Sequence, residues 1–109
     1  MSRICQPNNV SADTLQQVVD KAAGLLAGYE REFYHRVWQT PLDVYRQRLA
    51  ALGMFDHDCV LDAGCGNGQW TLCLSELNHS VLAVDYDQRR VDVTAQILGD
   101  LNVSNVQTE

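Results

Sequence analysis

Apolar residues recur at helical spacing at Leu15, Val18, Val19, Ala22, Leu25 and Leu26, which predicts an amphipathic first helix. Asp13, three residues ahead of Gln16, reads as a capping box for its first-turn amides. From Glu30 to Trp38, the pairs Phe33/Val37 and Tyr34/Trp38 at i, i+4 put apolar couples on neighbouring faces of a second helix. Thr40 and Pro41 read as N-cap and N1 of a third, with Asp43 in its positive first turn. Leu42, Tyr45, Leu49 and Leu52 form that helix's stripe, which ends at Gly53.

Beyond the polar turn Asp56-His57-Asp58 the period changes. Cys59-Val60-Leu61 is a short continuous apolar run ending in glycines, the pattern of a strand buried on both faces. A helix is expected from about Gln69 to Leu77, then a wholly apolar strand Val81–Val84 closed by Asp85. Val91, Val93, Ile97 and Leu98 mark a further helix that stops at Gly99, and a third strand begins over Val103–Gln107. Strands joined through helices run parallel with right-handed crossovers. The expected fold is therefore α/β: a Rossmann-like parallel half-sheet over residues 55–109, preceded by a helical segment over residues 1–54.

Composition narrows the function classes. The chain has 109 residues, 46% hydrophobic and 20% charged, the make-up of one globular domain. Eight basic residues against fourteen acidic ones give net charge −6, which leaves no broad basic footprint for a nucleic-acid backbone. Met1 to Asn9 has no apolar stretch suited to a signal peptide, and no run approaches the roughly 18 apolar residues of a membrane span. A cytoplasmic, membrane-free chain is the expectation. The four cysteines form no Cys-x-x-Cys pair, and His35, His57 and His79 lie on different elements, so no metal site is expected.

The candidate chemistry lies in Asp62-Ala63-Gly64-Cys65-Gly66-Asn67-Gly68, where the first strand hands over to a helix. Glycines at alternate positions allow positive φ and remove the Cβ atoms that hold a ligand off the main chain. Parallel α/β sheets bind ligands beyond the carboxyl ends of their strands, which is where this loop and Asp85 both fall. Asp85 lies about 20 residues past Gly64, the offset at which a carboxylate meets ribose hydroxyls. A dinucleotide fingerprint needs its third glycine at position 69, which is Gln69, and a Walker loop needs a lysine, whereas the single lysine is Lys21. Two blander roles stand beside these: the loop as an ordinary strand-to-helix turn, and Asp85 as an N-cap, which Asp87 could equally supply. Cys65 reads as a small side chain in a tight loop, Trp70 and Leu74 as core, and Arg89-Arg90 as a solvated helix face.

Asp62 to Gly68 resembles the first motif of class I S-adenosylmethionine-dependent methyltransferases, and Val84-Asp85 resembles their second. The resemblance covers about Cys59 to Gln107. It implies S-adenosylmethionine as cofactor, with Gly64, Cys65, Gly66 and Gly68 lying against its methionine part and sugar. It further implies that Asp62 orients the loop and the methionine amino group, Asp85 holds the ribose diol, and Tyr86 packs near the adenine. Tyr34 or Trp38 is a candidate lid. The implied reaction is methyl transfer to a small or unidentified acceptor, aligned in line with the sulfonium.

Members of that family have about seven strands, so this chain is expected to stop within the third, as a fragment or a chain needing a partner. Its residues then name a cofactor half-site and no catalytic base; the parent protein is expected to be an enzyme. The family's first strand is central, so its edge is expected to be exposed here and open to self-association. The rival readings are a noncatalytic, truncated cofactor- or partner-binding fragment and a nicotinamide oxidoreductase fragment.

Overall fold

Ser11 opens the first helix in the computed structural model, which describes residues 10–109. The expectations for Met1–Asn9 and Cys5 lie outside the described residues. The chain runs α1 (Ala12–Ala22), a 3-10 turn (Ala23–Leu25), α2 (Gly28–Trp38), α3 (Leu42–Ala51), β1 (Val60–Ala63), α4 (Gln69–Leu77), β2 (Val81–Val84), α5 (Gln88–Asp100) and β3 (Val106–Thr108). The three strands form one parallel sheet in the order β1-β2-β3, as the alternation of strand and helix requires. The expected α4 and β2 match their observed bounds.

The helix ends depart from the sequence reading for local reasons. Ser11 has extended dihedrals and its hydroxyl accepts from Thr14 N, so Ser11 caps α1; Asp13 is already helical, and the Gln16 amide reaches Asp20 instead. Pro41, with ψ 138°, holds the half-in position of α3 without a side-chain cap bond, which removes Thr40 from the cap. Gly99 does not stop α5. The helix ends one residue later and Asn102, at φ 58°, turns the chain, with Val103 N donating to Leu98 O and Asn102 N to Gly99 O. That is a Schellman ending with asparagine in the left-handed position. It engages Val103, which is why β3 begins at Val106 rather than at Val103.

Two apolar clusters join the N-terminal helices to the α/β segment. Val18, Val19, Ala22 and Tyr34 pack on Leu72 of α4 and on Val93, Ile97 and Leu98 of α5. Tyr45 and Leu49 of α3 pack on Val60, Cys73, Leu74 and Val81. Tyr34 is wholly buried, and its hydroxyl donates to Val19 O at 2.7 Å, which offsets the desolvation of that group. Leu52 and Leu25 fall outside these cores and are 74% and 46% exposed, because each sits where its helix is ending.

The row Val60-Val81-Val106 faces the helices, and the row Leu61-Leu82-Gln107 faces the other way. Leu61 is 61% exposed, so β1 is not buried on both faces as its apolar run implied. β1 is also an edge strand among the described residues. The sequence pattern records apolarity; the layer that would cover Leu61 is not among the described elements.

Candidate cofactor site

The loop between β1 and α4 is stapled to the end of β2. Gly64 N and Cys65 N both donate to Val84 O, at 2.7 and 2.9 Å, and Gly68 N donates to Cys65 O at 3.1 Å. Gly64, Gly66 and Gly68 all have positive φ, at 79°, 54° and 89°. The first two are bare for the sake of space: a Cβ on Gly64 would meet nothing within 4 Å, and one on Gly66 only Gly64 O at 3.8 Å. Gly68 differs. Its Cβ would stand 3.2 Å from Thr94 Oγ1 and 3.5 Å from Thr94 Cα, so this glycine lets α5 pack against the loop.

Asp85 is turned toward the loop. Its Oδ2 accepts from Gly66 N at 3.0 Å and its Oδ1 from Asp87 N at 2.9 Å, while capping of α5 is done by Asp87, which accepts from Arg89 N. Two of the predicted features therefore share one crevice, as the parallel pairing of β1 with β2 dictates. Asp62 faces α4 instead of the loop amides: its Oδ2 accepts from Thr71 Oγ1 at 2.5 Å. Burial pushes the Asp62 carboxyl above its ordinary range and the Asp85 charge adds to this, against the lowering effect of the Thr71 bond. Burial likewise raises the Cys65 thiol, which keeps it protonated and in the structural role read from its sequence context. Tyr86 stands fully in solvent beside Asp85.

Asn67, Arg90 and Thr94 shape the loop without having been legible as site residues, and Trp38, read as a candidate lid, acts with them. Asn67, only 5% exposed, accepts from Trp38 Nε1 at its backbone carbonyl (3.1 Å) and from Arg90 Nη1 at its side-chain oxygen (2.6 Å). Thr94 Oγ1 donates to Gly66 O at 3.1 Å. The arginine pair is thus solvated only at Arg89, which is exposed and pairs with Glu30 at 2.8 Å, whereas Arg90 holds the loop. Of the two lid candidates, Tyr34 is enclosed in the core and Trp38 is bonded to the loop.

The crevice favours positive charge. The amides of Gly64, Cys65, Gly66 and Gly68 are already engaged by the chain's own acceptors, and the Asp85 carboxylate stands at the loop with the Asp62 carboxylate near it. A pyrophosphate needs free main-chain donors and finds few here. Beside the loop, Gln69 Oε1 is enclosed and accepts from no donor among the described residues. A nucleoside carrying a sulfonium and an ammonium group suits a bare main chain flanked by Asp62 and Asp85.

Residues 60–109 match a family profile described as a methyltransferase domain. Over that stretch the chain is similar to class I S-adenosylmethionine-dependent methyltransferase domains. The chain is 31% identical over 80 residues to a probable cobalt-precorrin-6B C(15)-methyltransferase (decarboxylating) of Methanocaldococcus jannaschii, covering 72% of this chain and 44% of that protein. It is 31% identical to a solved rRNA methylase from Streptococcus thermophilus, with TM-score 0.53 over 64% of this chain and 38% of that one. DhpI, solved as a complex with S-adenosylhomocysteine (SAH), shares the fold at 20% identity and TM-score 0.55, over 92% of this chain and 46% of its own. The chain thus spans less than half the length of these relatives. S-adenosylmethionine is the cofactor of this methyltransferase family, and the open space over Gly64 and Gly66 fits it. No helix among the described residues is long and apolar enough to cross a membrane.

Proposed function

We propose that the protein to which this domain belongs transfers a methyl group from S-adenosylmethionine to a small-molecule acceptor. The observation that carries the reading is the single crevice formed by the bare Gly64–Gly66 main chain and the Asp85 carboxylate, joined by the Gly66 N–H to Asp85 Oδ2 bond. Bound there, the cofactor supplies a methyl group already activated by its sulfonium. Asp85 accepts hydrogen bonds from the ribose hydroxyls through its remaining lone pairs, and the Asp62 and Asp85 charges hold the cationic end. Gly64, Cys65 and Gly66 present main chain without bulk, Gly68 sets the turn beneath them, and Tyr86 is free to lie along the adenine. Net charge −6 supports a small acceptor over a nucleic acid, and cytoplasmic residence is part of the same proposal.

Titration calorimetry with SAH tests the assignment. Asp85→Ala removes charge-assisted bonds worth about 1.5–3 kcal/mol, so affinity should fall about ten- to a hundredfold. Asp85→Asn, which retains one acceptor oxygen for the loop, should lose less. Unchanged affinity in Asp85→Ala overturns the ribose assignment.

A second reading, a noncatalytic unit that works by association, is favoured by the edge position of β1 and the exposure of Leu61. In that reading the occupant is a second copy, because two β1 edges meeting across a two-fold axis satisfy each other's unpaired groups. Sedimentation at micromolar concentration distinguishes dimer from monomer, and a persistent monomer removes it.

A further inference from the structure

The side chains that pin the glycine loop come from outside it, and one of them belongs to a helix that precedes the α/β segment altogether. α2 is moored at both ends. Near its start, Glu30 pairs with Arg89 at 2.8 Å; at its last residue, Trp38 Nε1 donates to the carbonyl of Asn67 at 3.1 Å. The same asparagine takes Arg90 on its side chain at 2.6 Å, and the preceding carbonyl, Gly66 O, takes Thr94. The N–H of that same Gly66 meets Asp85.

Two consecutive carbonyls, on either side of the Asn67 amide, are therefore held by donors from α2 and α5. Gly66, whose N–H meets Asp85, is thus held at its carbonyl as well. Glycine at 64, 66 and 68 leaves this segment little intrinsic preference for one conformation, so external donors must select it. An exposed ion pair such as Glu30–Arg89 contributes little by itself. The buried Asn67, held at main chain and side chain, is where the restraint is concentrated.

We propose that Trp38 and Arg90 are positioning residues for the cofactor, acting jointly through Asn67, and that docking of α2 and occupation of the Gly64–Asp85 crevice are thermodynamically coupled. This rests on the reading of that crevice as the S-adenosylmethionine site. Because such coupling is reciprocal, ligand in the crevice must strengthen the Trp38–Asn67 bond by the factor that this bond strengthens ligand binding. Trp38 thus takes the place of a lid: it acts on the loop's shape from behind, without covering the ligand.

The test uses SAH and the 109-residue chain. Trp38→Phe keeps the ring and removes the donor, Arg90→Met keeps the stem and removes the guanidinium, and each should weaken SAH about 2- to 12-fold by calorimetry. The double variant should lose less than the product of the two single effects, since both restrain one residue. A merely structural Trp38 would lower the melting temperature, leave SAH affinity of the folded protein unchanged and show no such non-additivity. In the 15N-labelled chain, SAH should shift the Trp38 indole N–H resonance, assigned with Trp70→Phe, and slow its hydrogen exchange. SAH binding with an unmoved Trp38 resonance and equal affinity in Trp38→Phe overturns the coupling and leaves the site reading intact. Absence of SAH binding to the wild-type chain overturns the site reading and the coupling with it.

Discussion

Alanine at Gly64 and at Gly68 should separate ligand space from packing space within one loop. Both glycines have positive φ, 79° and 89°, so either substitution places a Cβ in the left-handed region at a cost of about 1–2 kcal/mol. At Gly64 nothing lies within 4 Å of the new atom, and the conformational strain is the whole effect on folding. At Gly68 the Cβ stands 3.2 Å from Thr94 Oγ1 and 3.5 Å from Thr94 Cα. The hydroxyl could rotate, with loss of its bond to Gly66 O, but the α-carbon belongs to α5 and cannot swing aside. Overpacking of this kind adds about 1–3 kcal/mol, for a total of about 2–5 kcal/mol. Against a stability of about 5–15 kcal/mol for a chain of this kind, Gly68→Ala should be visibly weakened and Gly64→Ala mildly so. Urea denaturation, with the midpoint compared at constant slope, measures the difference. SAH titration of the folded variants should show the reverse order, with Gly64→Ala losing more than about tenfold because its methyl occupies the open face of the crevice. Equal destabilisation by the two substitutions, or wild-type SAH affinity in Gly64→Ala, would refute the division.

Three further outcomes follow from buried charge and burial. Asp62 is raised in the folded state, so folding favours its protonated form; the wild type therefore loses stability as pH climbs from the ordinary carboxylate range toward neutrality, and the deficit persists above it. Asp62→Asn, which can still accept from Thr71, should be more stable than wild type at pH 7 and lose that advantage near about pH 4; parallel pH profiles of the two would contradict this. Arg46→Met deprives the buried Glu76 carboxylate of a two-point partner at 3.1 and 2.9 Å and should cost about 3 kcal/mol in urea melts, much of it restored by adding Glu76→Gln. Cys73 is fully buried with its thiol pushed up to about 12, so iodoacetamide at pH 8 should alkylate exposed Cys59 more than about a hundredfold faster; comparable labelling in peptide mass mapping would count against the packing of α4 on α3.

Local pattern carried a large part of this protein. The change of period after Asp58, the alternate glycines and the acid closing β2 are short-range features, and each is tied to backbone conformation or strand ends; α4, β2 and the loop–Asp85 crevice followed from them. Helix termini were harder, because Ser11 and Asp13, or Gly99 and Asn102, compete for one cap and the choice turns on which residue leaves the helical region in the packed chain. The exposure of Leu61 was opaque for a different reason: an apolar run reports what a strand can be buried against, and says nothing of whether that layer is present.

Only the tertiary structure decided which distant side chains hold the loop. Trp38 and Asn67 are 29 residues apart and Asn67 and Arg90 are 23 apart, and nothing at either end marks the pairing. An indole and a guanidinium are compatible with core and solvent respectively, which is how they read locally. Their roles arise from the arrangement of α2 and α5 around one buried asparagine. Amino-acid order determined that the chain has bare main chain beside a carboxylate, because dihedral preference and strand polarity are local properties; packing determined what keeps that loop in shape, because contact between segments is not.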